Sequence, residues 1–355
     1  MKEKIAVVAI TKNGIKISEL IKKNIFNAEI FVPYKLYNEN SNIIWFKEST
    51  QKKIEDLFHS YDALICIFSL GAVIRLISKL LVDKKTDPAV LVIDDKATFV
   101  ISTLSGHLGG ANALSRYVSS FLNSLPVITT AADVNNTISV DLIGNELGWV
   151  IDNFENVTKI SAYMVNEEKI ALFQDVGERT WWDLKNLPSN VFMIKNMENI
   201  KEDSYKGGLI ITDKIITDNA ILAKSVIYRP KTLVIGIGIH WDTTKDDIVN
   251  GIKSIFSKNN LSFASIKSLS SIKKKIPVKG LNEFAKEFNI PLYLFEKEEL
   301  ERISVPNPSD TVRKFEGVAS VSEASSILLS HGTLLIPKQK FPPNLTISVC
   351  RMNYQ

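Results

Sequence analysis

The residues with the densest chemical content lie in one stretch, Leu104-Ser105-Gly106-His107-Leu108-Gly109-Gly110-Ala111-Asn112, which sets glycines, a hydroxyl, an imidazole and an amide side by side. An imidazole takes or gives a proton near neutral pH, its ordinary pKa being about 6.5. Glycine lets a ligand approach the backbone closely, and the first N–H groups of a helix have no partner inside it. Such a set suits an anionic group, or a developing oxyanion, held at a helix start. A tight turn needs the same glycines with no ligand at all, and sequence chemistry leaves both readings open.

The neighbouring residues say what carries this stretch. Thr98 to Thr103 is β-branched and aromatic, which predicts a strand, and Ala113 to Leu122 places apolar residues at helical spacing. The glycines therefore sit at a strand-to-helix turn. Continuous apolar runs at Ile5 to Ile10, Asp62 to Phe68 and Ala89 to Asp94 predict strands covered on both faces, with helices at Ile15 to Lys23, Thr50 to His59 and from Ser69 onward. That alternation predicts an α/β layer on a largely parallel sheet. Pro126 to Asp133 predicts a strand whose end turns polar. Ser69 to Arg75, Ser105 to Asn112 and Thr129 to Asp133 are then expected to leave strand carboxyl ends on one shared edge, where α/β sheets bind ligands.

The fold class expected is α/β in three domains: a largely parallel-sheet N-terminal domain over 1–135, a small α+β middle domain over 136–230, and an α/β C-terminal domain over 231–355. In the middle domain the pattern predicts helices at Ser139 to Leu147 and Val157 to Met164 and a hairpin at Asn166 to Asp175. Beyond Arg229-Pro230-Lys231, Thr232 to Trp241 predicts a strand entering a Gly236-x-Gly238 turn, followed by a helix over Thr243 to Phe256. Trp241 stands where a dinucleotide fingerprint needs its third glycine, so NAD binding is rejected. Later segments predict a helix near Gly280 to Phe288, a strand at Pro291 to Phe295, a helix at Ser320 to Ser330 and strands at Leu334 to Ile336 and Leu345 to Cys350.

Composition narrows the class further. The chain has 355 residues, 45% of them apolar and 23% charged, as in ordinary globular proteins. With 43 Lys and Arg against 39 Asp and Glu, the net charge of +4 is too small to argue for nucleic acid. No apolar run is long enough to span a bilayer, and Met1-Lys2-Glu3-Lys4 leads directly into the first strand, so a cytoplasmic protein without a membrane partner is expected. Cys66 and Cys350 each lie in an apolar strand-like run, which predicts buried reduced thiols. The four histidines are scattered, so no metal site is expected.

Four blocks resemble, in order and spacing, the cobalamin biosynthesis protein G (CbiG) family. They are Gly71-Ala72-Val73-Ile74-Arg75, Lys84-x-Thr86-Asp87-Pro88-Ala89-Val90, Ser105 to Asn112, and Pro126 to Asp133. Asp141 and the segment after it fit more loosely. The likeness resumes at Gly236-Ile237-Gly238, Pro306-Asn307-Pro308-Ser309, Gly317 to Ala324 and Lys338. The resemblance implies a cobalt-precorrin-5A hydrolase, which opens the δ-lactone of a cobalt tetrapyrrole and releases acetaldehyde. It implies no cofactor, the cobalt being carried by the substrate. The implied partners are that anionic macrocycle and other corrin-pathway enzymes, with a homodimer left open. Where the family follows Gly-x-Gly with Cys and a basic pair, this chain has Ile239, His240 and Trp241. Val278 replaces an acidic residue after Lys275, which leaves the C-terminal domain the part of binding or shaping substrate.

On this reading His107 is a general base for water attack on the lactone carbonyl, with backbone N–H groups around Gly109 and Gly110 receiving the oxyanion. Ser105 or Asn112 orients the imidazole or the substrate, and Asp133 holds a tautomer. Ser105 as nucleophile lacks a G-x-S-x-G elbow. Gly71, Arg75, Gly106, Thr129, Thr130, Gly236, Gly238 and Lys275 complete the expected substrate contacts; Arg75 is alternatively a partner of Asp94 or Asp95. Glu323 reads as a structural or surface residue. The rival readings are a non-catalytic tetrapyrrole carrier and a binder of phosphorylated metabolites at the glycine turn.

Overall fold

A computed structural model describes residues 4–354; Met1 to Glu3, part of the expected lead into the first strand, lie outside the described residues. The chain forms two compact units, 1–142 and 143–355. In the first, strands β1 (Ile5–Ala9), β2 (Ala28–Pro33), β3 (Ile43–Phe46), β4 (Ala63–Ile67), β5 (Ala89–Ile93), β6 (Phe99–Leu104) and β7 (Leu125–Val127) form one sheet in the order β3-β2-β1-β4-β5-β6-β7. Helices α1 (Lys12–Asn24), α2 (Thr50–Ser60), α3 (Leu70–Ile77), α4 (Ala111–Leu122) and the short α5 (Ala131–Val134) connect them. Strands β1, β4 and β5 are buried along their whole length. Their alternate residues feed two cores, Val7, Ile65 and Leu91 on one face and Val8, Cys66 and Val92 on the other. That double burial is why they read as unbroken apolar runs. Burial pushes the Cys66 thiol up to about 12, and both cysteines are free and buried.

One pairing decides the site. β6 runs antiparallel to β5, with Leu104 opposite Val90, while β7 runs parallel to β6. The carboxyl ends of β6 and β7 therefore share an edge with the amino end of β5, not with the carboxyl end of β4. The expected convergence of three loops is thus corrected. The turn after β6 and the segment after β7 meet, but α3 begins at the opposite edge and takes Gly71 with it. In place of Ser69 to Arg75, the polar loop before β5, Lys84 to Pro88, joins the site edge.

In the second unit, β8 (Val150–Ile151), β9 (Ile170–Gln174), β10 (Val191–Met193), β11 (Gly207–Ile211) and β12 (Ser225–Arg229) form a sheet in the order β10-β9-β11-β12-β8, with α6 (Val157–Val165) and α7 (Asn219–Lys224). The hairpin expected at Asn166 to Asp175 does not form, because β9 pairs parallel with both β10 and β11. The helix expected over Ser139 to Leu147 is replaced by turns and a single 3-10 turn at Asn145–Leu147. Gly144 and Gly148 sit at φ +69° and +72°, and the Trp149 ring fills the space where a Gly144 Cβ would stand.

The last sheet, order β15-β14-β13-β17-β16, comprises β13 (Leu233–Ile239), β14 (Ile266–Ile272), β15 (Leu292–Phe295), β16 (Thr333–Phe341) and β17 (Leu345–Arg351). Around it lie α8 (Lys245–Lys258), α9 (Lys279–Glu287), α10 (Lys297–Glu301), α11 (Asp310–Glu316) and α12 (Val321–Ser330). A fully buried Asp213 joins this sheet to the middle one. It accepts Arg351 Nε and Nη2 at 2.7 and 2.8 Å and the Thr232 hydroxyl at 2.9 Å. No helix among the described residues is long and apolar enough to cross a membrane.

Gly236 and Gly238 lie inside β13 and not in a turn after it, correcting the expected Gly-x-Gly loop. Their absent side chains allow close approach: a Cβ on Gly236 would stand 1.8 Å from the Ser322 carbonyl oxygen of α12, and one on Gly238 2.3 Å from the Thr346 hydroxyl of the neighbouring strand β17. Gly236→Ala is therefore expected to cost about 3 kcal/mol or more by overpacking. Gly71→Ala, whose Cβ would meet only Arg75 Nη1 at 3.5 Å, is expected to be neutral or slightly stabilising in its helix. Urea denaturation of the two variants checks both, and equal midpoints would contradict the packing argument.

Candidate active site

The turn from β6 into α4 is held by its own backbone. Ser105 adopts φ +55°, and its hydroxyl donates to the Asp87 carbonyl at 3.0 Å. Gly109 folds over it so closely that a Cβ there would stand 2.2 Å from the Ser105 Cβ. The N–H groups of Gly110, Ala111 and Asn112 donate to the carbonyls of His107, Ser105 and Gly106. The oxyanion donor expected at Gly110 is therefore spent inside the turn. The N–H groups of Leu108 and Gly109 have no acceptor among the described residues.

Asn112, buried at the start of α4, is the hub of the polar network. Its Oδ1 accepts the Ser102 hydroxyl at 2.7 Å, and its Nδ2 donates to Thr130 Oγ1 at 2.9 Å and Asp133 Oδ2 at 2.8 Å. Gly106 makes room for it, since a Cβ at that residue would fall 2.7 Å from Asn112 Oδ1. Thr130 thus takes part through its hydroxyl, while Thr129 is exposed on the same segment.

His107 lies between two carboxylates. Its Nε2 is 3.2 Å from Asp133 Oδ2, and its Nδ1 faces both oxygens of Asp141 at 3.2 and 3.3 Å. With a carboxylate facing each nitrogen, the imidazolium form can donate to both. The hydrogen bond to Asp141 is the main influence raising the His107 pKa above the ordinary value; burial opposes it, and the charges of Asp141 and Asp133 add to it. The general base expected at His107 thus sits in surroundings that favour the protonated ring. Burial pushes Asp133 up, but the hydrogen bond and charge of Arg116, the Asn112 amide and the charge of His107 outweigh it and hold Asp133 below the ordinary value. Arg116 Nη2 stands 2.6 Å from Asp133 Oδ1.

Two members of this cluster escape a reading of the motif alone. Arg116 follows Asn112 by four residues, hence on the same face of α4, a signal that helical spacing carries. Asp141 is 34 residues from His107, and only the looser part of the family likeness marks it.

Other expected contacts fall elsewhere. Arg75 donates from Nη1 back to the Gly71 carbonyl at 3.1 Å and does not pair with Asp94 or Asp95, whose carboxylates bind Lys96 N, Phe99 N and Thr11 Oγ1. In the second unit, Gly236 and Gly238 are packed under α12, and Lys275 is exposed in the loop after β14. Glu323 is fully buried: its carboxylate accepts Asn307 N and Nδ2 at 3.1 and 2.8 Å and Lys338 N at 2.9 Å. Three of the motif blocks singled out in the C-terminal domain thus meet in one structural knot. A cavity of about 350 Å³ beside the first turns of α8 is lined by Asp242, Asp247, Asn250, Phe341 and Asn344 among others. The two carboxylates on its wall make it a poor receptor for anions.

Comparison with known proteins gives three family matches along the chain. They are Cobalamin synthesis G N-terminal over residues 52–133, Cobalamin biosynthesis central region over 138–230 and Cobalamin synthesis G C-terminus over 233–350. Cobalt-precorrin-5A hydrolase of Priestia megaterium is 41% identical, covering 98% of this chain and 95% of the relative. The protein of the same name from Salmonella typhimurium is 29% identical over 94% and 93%. The crystal structure of a cobalamin biosynthesis protein G homologue from Sulfolobus solfataricus is 25% identical, covers 99% of this chain and 98% of that one, and has a TM-score of 0.39. With its motif blocks, its three family matches and a relative 41% identical along nearly the whole length, the chain belongs to the cobalamin biosynthesis protein G family.

Proposed function

We infer that this chain is a cobalt-precorrin-5A hydrolase of anaerobic cobalamin biosynthesis, opening the δ-lactone and releasing acetaldehyde. The near full-length likeness to two hydrolases of that name supports the reaction. The observation that carries the chemistry is the imidazole of His107 clamped between Asp133 and Asp141. Its substrate is the anionic cobalt macrocycle, taken from and passed to other corrin-pathway enzymes in the cytoplasm.

The geometry supports a division of labour between the two carboxylates. Asp133 already accepts from Asn112, Arg116 and His107, whereas Asp141 has His107 as its side-chain partner and more lone pairs to spare. Asp141 is therefore the base that takes a proton from water as it attacks the lactone carbonyl. His107 donates its proton to the departing alkoxide. The contacts of 3.2–3.3 Å are long for a charge-assisted bond, so substrate can displace one at modest cost. The neutral imidazole then accepts the proton of the freed hydroxyl as the carbon–carbon bond breaks. The electron pair passes into the macrocycle, which is protonated by the acid form of Asp141. Acetaldehyde leaves, and both groups return to their starting state.

Incubation with cobalt-precorrin-5A, following lactone loss and acetaldehyde together, tests the assignment. His107→Ala and Asp141→Asn are each expected to lower kcat by roughly 10²- to 10⁴-fold with the fold retained; undiminished acetaldehyde release by either removes that residue from the mechanism.

The pH dependence separates donor from base. A donating imidazolium makes the rate fall as pH rises through the raised folded pKa of His107, whereas a free imidazole base makes it rise through about 6.5. The same proton is linked to stability. Because the folded pKa is raised, the contribution of His107 is complete below the unfolded value of about 6.5 and is lost as pH climbs through the folded value. The melting temperature of wild type is accordingly expected to exceed that of His107→Gln by more at pH 6 than at pH 9, as thermal denaturation across that range can show.

A further inference from the structure

Arg116 stands one carboxyl group away from the imidazole, yet only part of it is used. Nη2 donates to Asp133 Oδ1 at 2.6 Å, and Nε and Nη1 have no acceptor among the described residues. Its side chain is 52% exposed, against 16% for Asp133 and 13% for Asp141, so the unused N–H groups are open to a ligand while the carboxylates are largely enclosed. Without Arg116, Asp133 keeps Asn112 and His107 on Oδ2, while Nη2 of Arg116 is the partner of Oδ1. With the guanidinium half exposed to solvent, the pair contributes less stability than a buried one. A planar guanidinium with a free edge is, however, well suited to receive a second carboxylate.

We propose that Arg116 is a substrate-binding residue that takes a carboxylate arm of the macrocycle on its free N–H groups while Nη2 stays on Asp133. Docking of one arm then places the tetrapyrrole beside His107. It also draws on the same guanidinium that fixes Asp133, so substrate binding and the setting of the His107 clamp are coupled through one side chain. No bond is made or broken in this step. The proposal rests on the hydrolase reading, and it adds the arm-binding residue that the placement of Arg75 leaves unfilled.

The test uses the full chain, with Arg116→Gln and Arg116→Lys on the exposed face of α4, where both residues are good helix formers. Two readouts are compared: turnover of cobalt-precorrin-5A, and direct binding of the cobalt complex of an octacarboxylate porphyrin. Arg116→Gln is expected to raise KM about 10-fold or more with a smaller change in kcat, and to weaken the porphyrin by a similar factor. Arg116→Lys is expected to recover part of the loss, as it keeps the charge without the fork. The gap between wild type and Arg116→Gln is expected to narrow in high salt.

A KM and a porphyrin affinity within about twofold of wild type overturn the proposal, leaving Arg116 a surface ion pair. A loss confined to kcat also overturns it, making Arg116 only a holder of Asp133. If wild type itself fails to open the lactone, the hydrolase reading falls. Porphyrin binding then judges Arg116 alone, and equal affinity for wild type and Arg116→Gln overturns the proposal in that case too.

Discussion

The reversal of β6 against β5 is the constraint on which the candidate site depends. In a wholly parallel sheet the glycine turn would open beside the carboxyl ends of β1 and β4, and its neighbours would be the starts of α1 and α3. Because β6 turns back, the turn opens beside the amino end of β5. The Ser105 hydroxyl then reaches the Asp87 carbonyl, and the segment after β7 comes up against α4. The ladder of β6 and β7 thus chooses which polar side chains meet His107. The buried strands of the sheet, packed on both faces, make that choice rigid.

Charge pairing follows from this placement. A cation and two carboxylates that are mostly enclosed would be costly if any of them stood alone. Here each charge has an opposite neighbour: His107 lies between Asp133 and Asp141, and Arg116 lies on Asp133. Asn112 adds the neutral hydrogen bonds that fix the position of Asp133. The cluster is balanced, so a single proton can move within it without leaving an unpaired charge behind.

The second unit is built on close approach more than on bulk. α12, with Ser322, Ser325 and Ser326, lies against glycines and serines of β13, β14 and β17. The Ser325 and Ser326 hydroxyls bond across to Ser270 and Ser348, and those of Ser270 and Ser271 donate to the strand carbonyls of Ile235 and Ile237; Ser322 packs without a partner for its hydroxyl among the described residues. At the start of the same helix the buried Glu323 carboxylate gathers the Asn307 segment and the backbone of β16. This part of the chain carries family motifs whose visible work is to hold the sheet and its covering helix together.

Local patterns were sufficient for much of this. Unbroken apolar runs located β1, β4 and β5, a β-branched and aromatic run located β6, and the glycines between strand and helix located the turn at His107, because these signals arise within a few residues of chain. β14 escaped notice because its serines look like loop residues until strand carbonyls and α12 supply their partners. Strand direction is set by pairing between distant segments, and no local residue records it; hence Gly71 and Arg75 were expected at a site whose edge they do not share. The charge state of His107 likewise required Asp133 and Asp141, brought from 26 and 34 residues away. The amino-acid sequence by itself determined where an imidazole sits in the glycine turn. Only the tertiary structure decided that its pKa is raised, since a pKa is shifted by hydrogen bonds and charges that are near in space.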